Sequence, residues 1–237
     1  MQVADRGILL HRLKYGDSGL ILKMYTKEHG AMSFLVQGLK GKNKAVSAMV
    51  HPLAELDLVF LNRSKSDLKR LKEVQISTPF HQVRSDLGRS GIAFFLAEFL
   101  SKSLKENEAN PSLYSFIRTS IEILNTSDKT ANFHLIFLLR LTQFLGFYPL
   151  GNYSGREFFD LQEGLFTRIR PMHIAYVEQL EAKQFGKIIS VGFDFLDEKL
   201  FGDERTKLLE ALIKYYQFHI EGFGTLKSLK VLQELNE

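Results

Sequence analysis

"SGLILKMYTKEHGAMSFLVQ", residues 18–37, joins two runs of alternating hydrophobicity through a His29-Gly30 turn signal. In the first run Leu20, Leu22 and Met24 share one face, and Ile21, Lys23 and Tyr25 the other. In the second, Met32, Phe34 and Val36 alternate with Ser33 and Leu35. A period of two turns every second side chain toward one side, which is the pattern of a half-buried β-strand.

The same period recurs on both sides of this stretch. "RGILLHRL" (6–13) precedes it; "LAELDLVFL" (53–61), with Leu56, Leu58 and Phe60 opposed to Glu55, Asp57 and Val59, and "LKRLKEVQI" (68–76) follow. Turn residues separate the runs at Tyr15-Gly16-Asp17, His29-Gly30, "GLKGKNK" (38–44) and Asn62-Arg63-Ser64. Five short strands in a small basic region fit a closed barrel, with the OB-fold the leading candidate.

Beyond Pro79 the hydrophobic period becomes helical. Ile92, Phe95, Leu96, Phe99 and Leu100 make one stripe; Leu113, Phe116, Ile117, Ile121 and Leu124 make another, after a Pro111 suited to a first helical turn. "FHLIFLLRLTQFLGF" (133–147) is apolar on nearly every side and predicts a central bundle helix that carries one arginine, Arg140. A stripe from Leu208 to Ile220 and a short helix after Thr225 close the chain. Residues 147–171 read as a loop and a small hairpin turning at Glu163-Gly164. The expected class is therefore α+β: a five-stranded OB-fold barrel over residues 1–79, then an all-helical domain over 80–237 with the hairpin inserted.

Composition excludes several classes. With 45% apolar and 12% aromatic residues the 237-residue chain fills real cores and is not disordered. Cysteine is absent, which removes disulfides, thiolate metal sites and a catalytic thiol, and favours a reducing cytosol. Charges at Asp5, Arg6, Arg12, Lys14 and Asp17 interrupt any export signal, and no run reaches the roughly 20 apolar residues of a membrane span. A cytoplasmic protein without membrane contact is expected. Residues 1–80 hold thirteen Lys and Arg against seven Asp and Glu, a net of +6, whereas the remainder nets −2. The basic character is an N-terminal property and points to a polyanion.

The short motifs mostly dissolve. "GDSGL" (16–20) resembles a serine-protease nucleophile segment, but in that family the His and the Asp precede the serine by long stretches, whereas only seventeen residues precede Ser18; a turn between strands explains it. Gly38 to Lys44 has two spacer residues between its glycines instead of four and no hydroxyl in register, so it is not a nucleotide P-loop. The histidines, at 11, 29, 51, 81, 134, 173 and 219, show no metal-ligand spacing. His134 reads as a core or boundary residue, and Asp197-Glu198 and Asp203-Glu204 as helix-start charges. No acid and base pair suggests an enzyme, and no cofactor or metal is expected.

What remains is a set of cations interleaved with aromatics in the barrel: Arg12, Lys14, Lys23, Lys40, Lys42, Lys44, Arg63 and Lys65, with Tyr15 and Tyr25. These residue types supply phosphate contacts and stacking platforms for a nucleic-acid strand. Phe34 is expected in the core; Tyr15 and Tyr25 stay open between core and platform.

Residues 7–60, with Leu10-His11, the Gly16-Asp17-Ser18 turn, "YTKEHG" (25–30), Gly38-Leu39-Lys40 and Pro52, resemble the N-terminal segment of the RecO family of bacterial recombination mediators. "LRLTQFLGFYP" (139–149) and "GTLKS" (224–228) continue the resemblance in order. It implies an OB-fold that binds single- and double-stranded DNA ahead of a helical domain, and a protein that anneals complementary strands and is not an enzyme. It further implies RecR and the C-terminal tail of the single-stranded DNA-binding protein as partners, RecA loading as the outcome, and a nucleoid-associated, cytoplasmic location. The DNA-contact role then falls on the eight cations named above. Arg140, beside Phe137, Leu141 and Phe144, has the chemistry to anchor an acidic, apolar tail; the alternative is a bundle-surface arginine with a snorkelling stem.

Two positions depart from the family. Many members carry a four-cysteine zinc module after the position of Tyr148-Pro149, where this chain has no cysteine. Apolar packing of Phe158, Phe159, Leu161, Leu165 and Phe166 is expected to hold the module instead. Leu229 stands where the family commonly has arginine. The rival reading is a basic OB-fold RNA- or protein-interaction module without mediator activity.

Overall fold

The computed structural model describes residues 1–17, 19–37, 50–62, 68–104, 108–155, 157–200 and 203–234. The chain forms two compact units, Met1–Thr126 with Leu226–Glu237, and Ser127–Thr225. The change of period near Pro79 marks where strands give way to helices, while the first three helices share a compact unit with the strands.

In the first unit, strands β1 (Gln2–Tyr15), β2 (Gly19–Thr26), β3 (Gly30–Val36), β4 (Glu55–Leu61) and β5 (Leu68–Thr78) close a barrel in the order β1-β2-β3-β5-β4. Only β3 and β5 pair in parallel, over three residues each, Ser33 to Leu35 with Leu68 to Arg70. This is the expected OB-fold. β1 is long because it serves two neighbours: Gln2 to Ile8 pair with β4, and Gly7 to Tyr15 with β2. At the changeover, a Cβ on Gly7 would crowd Met24, Thr26 and Leu58 at 3.1–3.3 Å. The alternating faces hold, since Leu22, Met24, Phe34, Val36, Leu56, Leu58 and Phe60 are all buried in the barrel core.

Helix α1 (His81–Ser85) leads into α2 (Leu87–Ser103), whose N-cap Asp86 accepts the Arg89 N–H. α3 (Pro111–Thr126) starts at its proline, where the missing N–H costs nothing, and the Asn110 side chain accepts the Leu113 N–H. α2 packs against β1, so Ile8 and its partner Tyr25 are buried although they face away from the barrel interior.

The second unit has α4 (Phe133–Leu145) at its centre, buried on nearly all sides as its sequence predicts and ended by Gly146 at φ 84°. Around it are α5 (Gln179–Val191), a 3-10 turn (Gly192–Asp197) and α6 (Glu204–His219). The hairpin forms from β6 (Phe158–Asp160) and β7 (Leu165–Thr167), and a third strand, β8 (Tyr176–Val177), pairs with β6. The last helix, α7 (Leu229–Glu234), packs on α2 within the first unit. Asp203 does precede α6, with Glu204 in its first turn. Asp197 and Glu198 instead end the 3-10 turn, and their charges pair with Lys129 and Lys187. Among the described residues, no helix is long and apolar enough to cross a membrane.

Candidate nucleic-acid interface

The β1–β2 register decides where each barrel cation points. Residues directly opposite each other on antiparallel strands share a face. A bulge at Leu10 shifts the pairing so that His11 opposes Lys23, Arg12 opposes Leu22 and Lys14 opposes Leu20. Leu22 is core and Leu20 packs against it, so Arg12 and Lys14 lie on the inward side, at the end of the barrel beside the β1–β2 turn. There Arg12 Nη1 donates to the Val50 carbonyl at 3.0 Å. Val50 follows residues 38–49, and Val36, which precedes them, is paired with Leu20. Lys40, Lys42, Lys44, Arg63 and Lys65 lie outside the described residues, but the chain enters and leaves 38–49 beside Arg12 and Lys14.

Lys23 lies on the opposite side of the sheet, in line with His11 and Ser33. The expected set is thus split between two faces. Lys23 lines a cleft of about 420 Å3 with Lys69, Ser33, Asn62, His29 and Ser101. Among the described residues no carboxylate lines it. Burial first and then the Lys23 charge lower the His11 pKa, against the opposing charge of Glu98. Lys69 was not singled out in the sequence, where "LKRLKEVQI" reads only as a strand; its parallel pairing with Phe34, which is opposite Leu22, puts it in one row with Arg12 although it also lines this cleft.

A larger groove of about 1210 Å3 on the outer side of β4 and β5 is electrically different. Arg6 is paired with Asp57 at 2.9 Å. The Asp5 carboxylate accepts the N–H groups of Arg6 and Glu28 and lies 2.6 Å from His29 Nδ1. Fully buried Glu55 accepts the hydroxyls of Thr78 (2.5 Å) and Tyr114 (2.9 Å), with Arg118 Nε at 3.7 Å. Burial and then Glu55 push the Tyr114 phenol far above its ordinary range. Among the described residues five carboxylates and five Lys or Arg line it, so the groove offers little net attraction to a polyanion.

Tyr25 is only 2% exposed and unsuited to stacking on a base, Phe34 is core, and Tyr15 is 51% exposed at the barrel end. In the second unit, Arg140 Nη2 donates to the Ile189 carbonyl at 3.3 Å near the end of α5, and a Cβ on Gly192 would lie 2.6 Å from that nitrogen.

The hairpin module has the apolar filling expected of Phe159 and Leu161, both buried, with Phe158, Leu165 and Phe166 half-buried. It also has two polar centres that the sequence did not reveal. Glu157 accepts from the Ser154 hydroxyl and the N–H groups of Ser154 and Gly155, with Arg168 Nε at 3.5 Å. These hold its carboxyl down to about 2, the Ser154 hydroxyl first, against opposing burial. Asp160 accepts the Gln162 and Glu163 N–H groups and meets His173 Nε2 at 3.0 Å. With no thiol present and each carboxylate occupied in this way, the residues do not fit a zinc site.

Two family models match the chain: Recombination protein O N terminal over residues 1–80, and Recombination protein O C terminal over residues 84–230. The chain belongs to the RecO family. It is 37% identical over 239 residues to the DNA repair protein RecO of Flavobacterium psychrophilum, covering 99% of both chains. It is 39% identical over 236 residues to that of Bacteroides fragilis, covering 97% of both, and 32% identical over 243 residues to that of Porphyromonas gingivalis, covering 99% of both. The RecO models meet between residues 80 and 84, where the barrel gives way to α1.

Proposed function

We propose that this RecO-family chain is a recombination mediator in DNA repair. It binds single- and double-stranded DNA, anneals complementary strands and, with RecR, helps to load RecA onto DNA coated by the single-stranded DNA-binding protein. The observation that carries the reading is the full-length likeness to proteins named DNA repair protein RecO. The cleft lined by Lys23 and Lys69, with no carboxylate among the described residues, agrees with it. In this reading residues 1–79 bind DNA through Arg12, Lys14, Lys23, Lys40, Lys42, Lys44, Arg63 and Lys65, and residues 80–237 supply protein contacts, with 147–171 in the place of the zinc module. Arg140 keeps guanidinium donors beyond its bond to Ile189 for the partner's terminal carboxylate. No catalytic step is required; charge neutralisation and reduced repulsion between backbones suffice.

The test is annealing of complementary oligonucleotides pre-coated with the single-stranded DNA-binding protein. Acceleration by the chain is expected. Failure to anneal, together with tighter binding to RNA than to DNA, overturns the reading in favour of an RNA-interaction module.

A further inference from the structure

The hairpin sheet of the second unit runs in the order β7-β6-β8, so β8 has β6 on one side and, among the described residues, no strand on the other. The Leu161 N–H donates to the Ala175 carbonyl, which makes these two a hydrogen-bonded pair. Hydrogen-bonded and non-hydrogen-bonded pairs alternate along antiparallel strands. In the next pair, Asp160 with Tyr176, the Tyr176 N–H and C=O therefore point away from β6, to the free edge. Tyr176 and Val177 also line a cleft of about 610 Å3 against α6. We propose that β8 is a docking edge, which takes an extended partner segment of alternating apolar and basic side chains as a fourth strand.

In strand addition the main chain supplies affinity, and pockets for alternate side chains supply specificity. The apolar half of that recognition is in place. Ile174, just before β8, is 98% exposed and Phe218, on α6, is 48% exposed; both line the cleft, with Val177 and Ala211 buried beside them. Charge sets the other half. Glu178, Glu181 and Glu210 line the cleft against Lys207 and Lys214. Glu178 bonds Arg170 at 3.2 Å and Lys207 bonds Asp203 at 3.0 Å, which leaves Glu181 and Glu210 against Lys214. The whole unit, Ser127–Thr225, leans the same way, with thirteen Asp and Glu to eleven Lys and Arg. A segment bearing Lys or Arg is attracted here, whereas a nucleic-acid backbone and the acidic tail assigned to Arg140 are repelled. The docking edge adds to the protein contacts of the helical domain and depends on neither Arg140 nor the barrel cations.

The probe is a fluorescein-labelled peptide of about ten residues that alternates valine with arginine, titrated into the full chain and followed by anisotropy. It should bind at least about tenfold more tightly than a valine–glutamate peptide of the same pattern, and than a peptide with its valines and arginines in two blocks. Tyr176→Pro removes the edge N–H without removing a bond to β6, and edge strands tolerate proline. It should weaken the valine–arginine peptide about tenfold or more, whereas Tyr176→Ala, which keeps the N–H, should bind as Tyr176→Pro does not. The E181K/E210K variant should shift the preference toward the valine–glutamate peptide, with an unchanged unfolding midpoint. All three variants should anneal bare oligonucleotides at the wild-type rate, which separates this test from that of the mediator reading. Equal binding of the valine–glutamate peptide, unaltered binding by Tyr176→Pro and E181K/E210K, or no binding to the wild-type chain overturns the proposal. A concentration-dependent dimer that Tyr176→Pro abolishes overturns it in favour of a second copy of this chain.

Discussion

At the scale of single residues, the buried and clamped ionisable groups set how stability varies with pH. Glu98 on α2 accepts the N–H groups of Lys227 (3.1 Å) and Ser228 (2.8 Å) and the Ser228 hydroxyl (2.5 Å), and so caps the start of α7. Burial opposes its ionisation, but the Ser228 hydroxyl and then the two N–H groups outweigh it, and its pKa is lowered. A lowered carboxyl contributes stability that is present above its unfolded value, about 4.3, and is lost as pH falls through the folded one. Glu98→Gln should cost about 2 kcal/mol at neutral pH in denaturant unfolding, as hydrogen bonds to a charged acceptor do. His134 runs on a different window. Burial first, and then Arg205, press it down to about 3. The unfolded chain takes up a proton near pH 6.5 and the folded chain does not, so stability declines below that pH by up to about 1.4 kcal/mol per unit. His134→Leu should flatten this decline; urea midpoints at pH 7 and pH 5 measure it. The apolar flanks of His134 in the sequence mark it as a core or boundary residue, and it is buried. Nothing in the sequence marks Glu98's role, because the partners are 129 and 130 residues away.

Among the elements, legibility followed the length of the periodic pattern. All five barrel strands and the helices with stripes of five or more apolar positions were readable, because each buries one face continuously. α5 escaped because Gly186 and polar residues break its stripe, and β8 because two residues hold no period. Gly186 has a packing reason that only the structure shows: a Cβ there would lie 2.4 Å from the Cβ of Tyr153. Gly186→Ala should therefore push the 147–157 segment off α5, and limited proteolysis there should speed up markedly. The hairpin's anchor is Phe159, fully buried among Phe166, Phe185 and Tyr215 at centroid distances of 5.0–5.4 Å. Phe159→Ala should cost about 3–5 kcal/mol, read from the thermal unfolding of the full chain. Chelators should leave the wild-type midpoint unchanged, since the module is held by aromatic packing and two hydrogen-bonded carboxylates.

On the level of the whole molecule, the uneven charge was the most useful functional signal in the sequence, and its placement was the least readable. Thirteen cations in the first 80 residues point to a polyanion partner, but a one-residue bulge at Leu10 decides which side of the sheet Arg12 and Lys14 serve. For Lys40, Lys42 and Lys44, simultaneous reversal to Glu should weaken single-strand binding and shallow its salt slope by about 2, measured from 50 to 300 mM salt, roughly. An unchanged slope would move the contacts to the described faces. The return of residues 226–234 to the barrel unit, pinned by Glu98, has a bearing on biosynthesis. The five strands are complete by Thr78, yet the helix that seals α2 is made about a hundred and fifty residues later, after the whole of Ser127–Thr225 has been synthesised. During translation the barrel unit therefore lacks the helix that covers α2 near Glu98 until the last residues of that helix have been added.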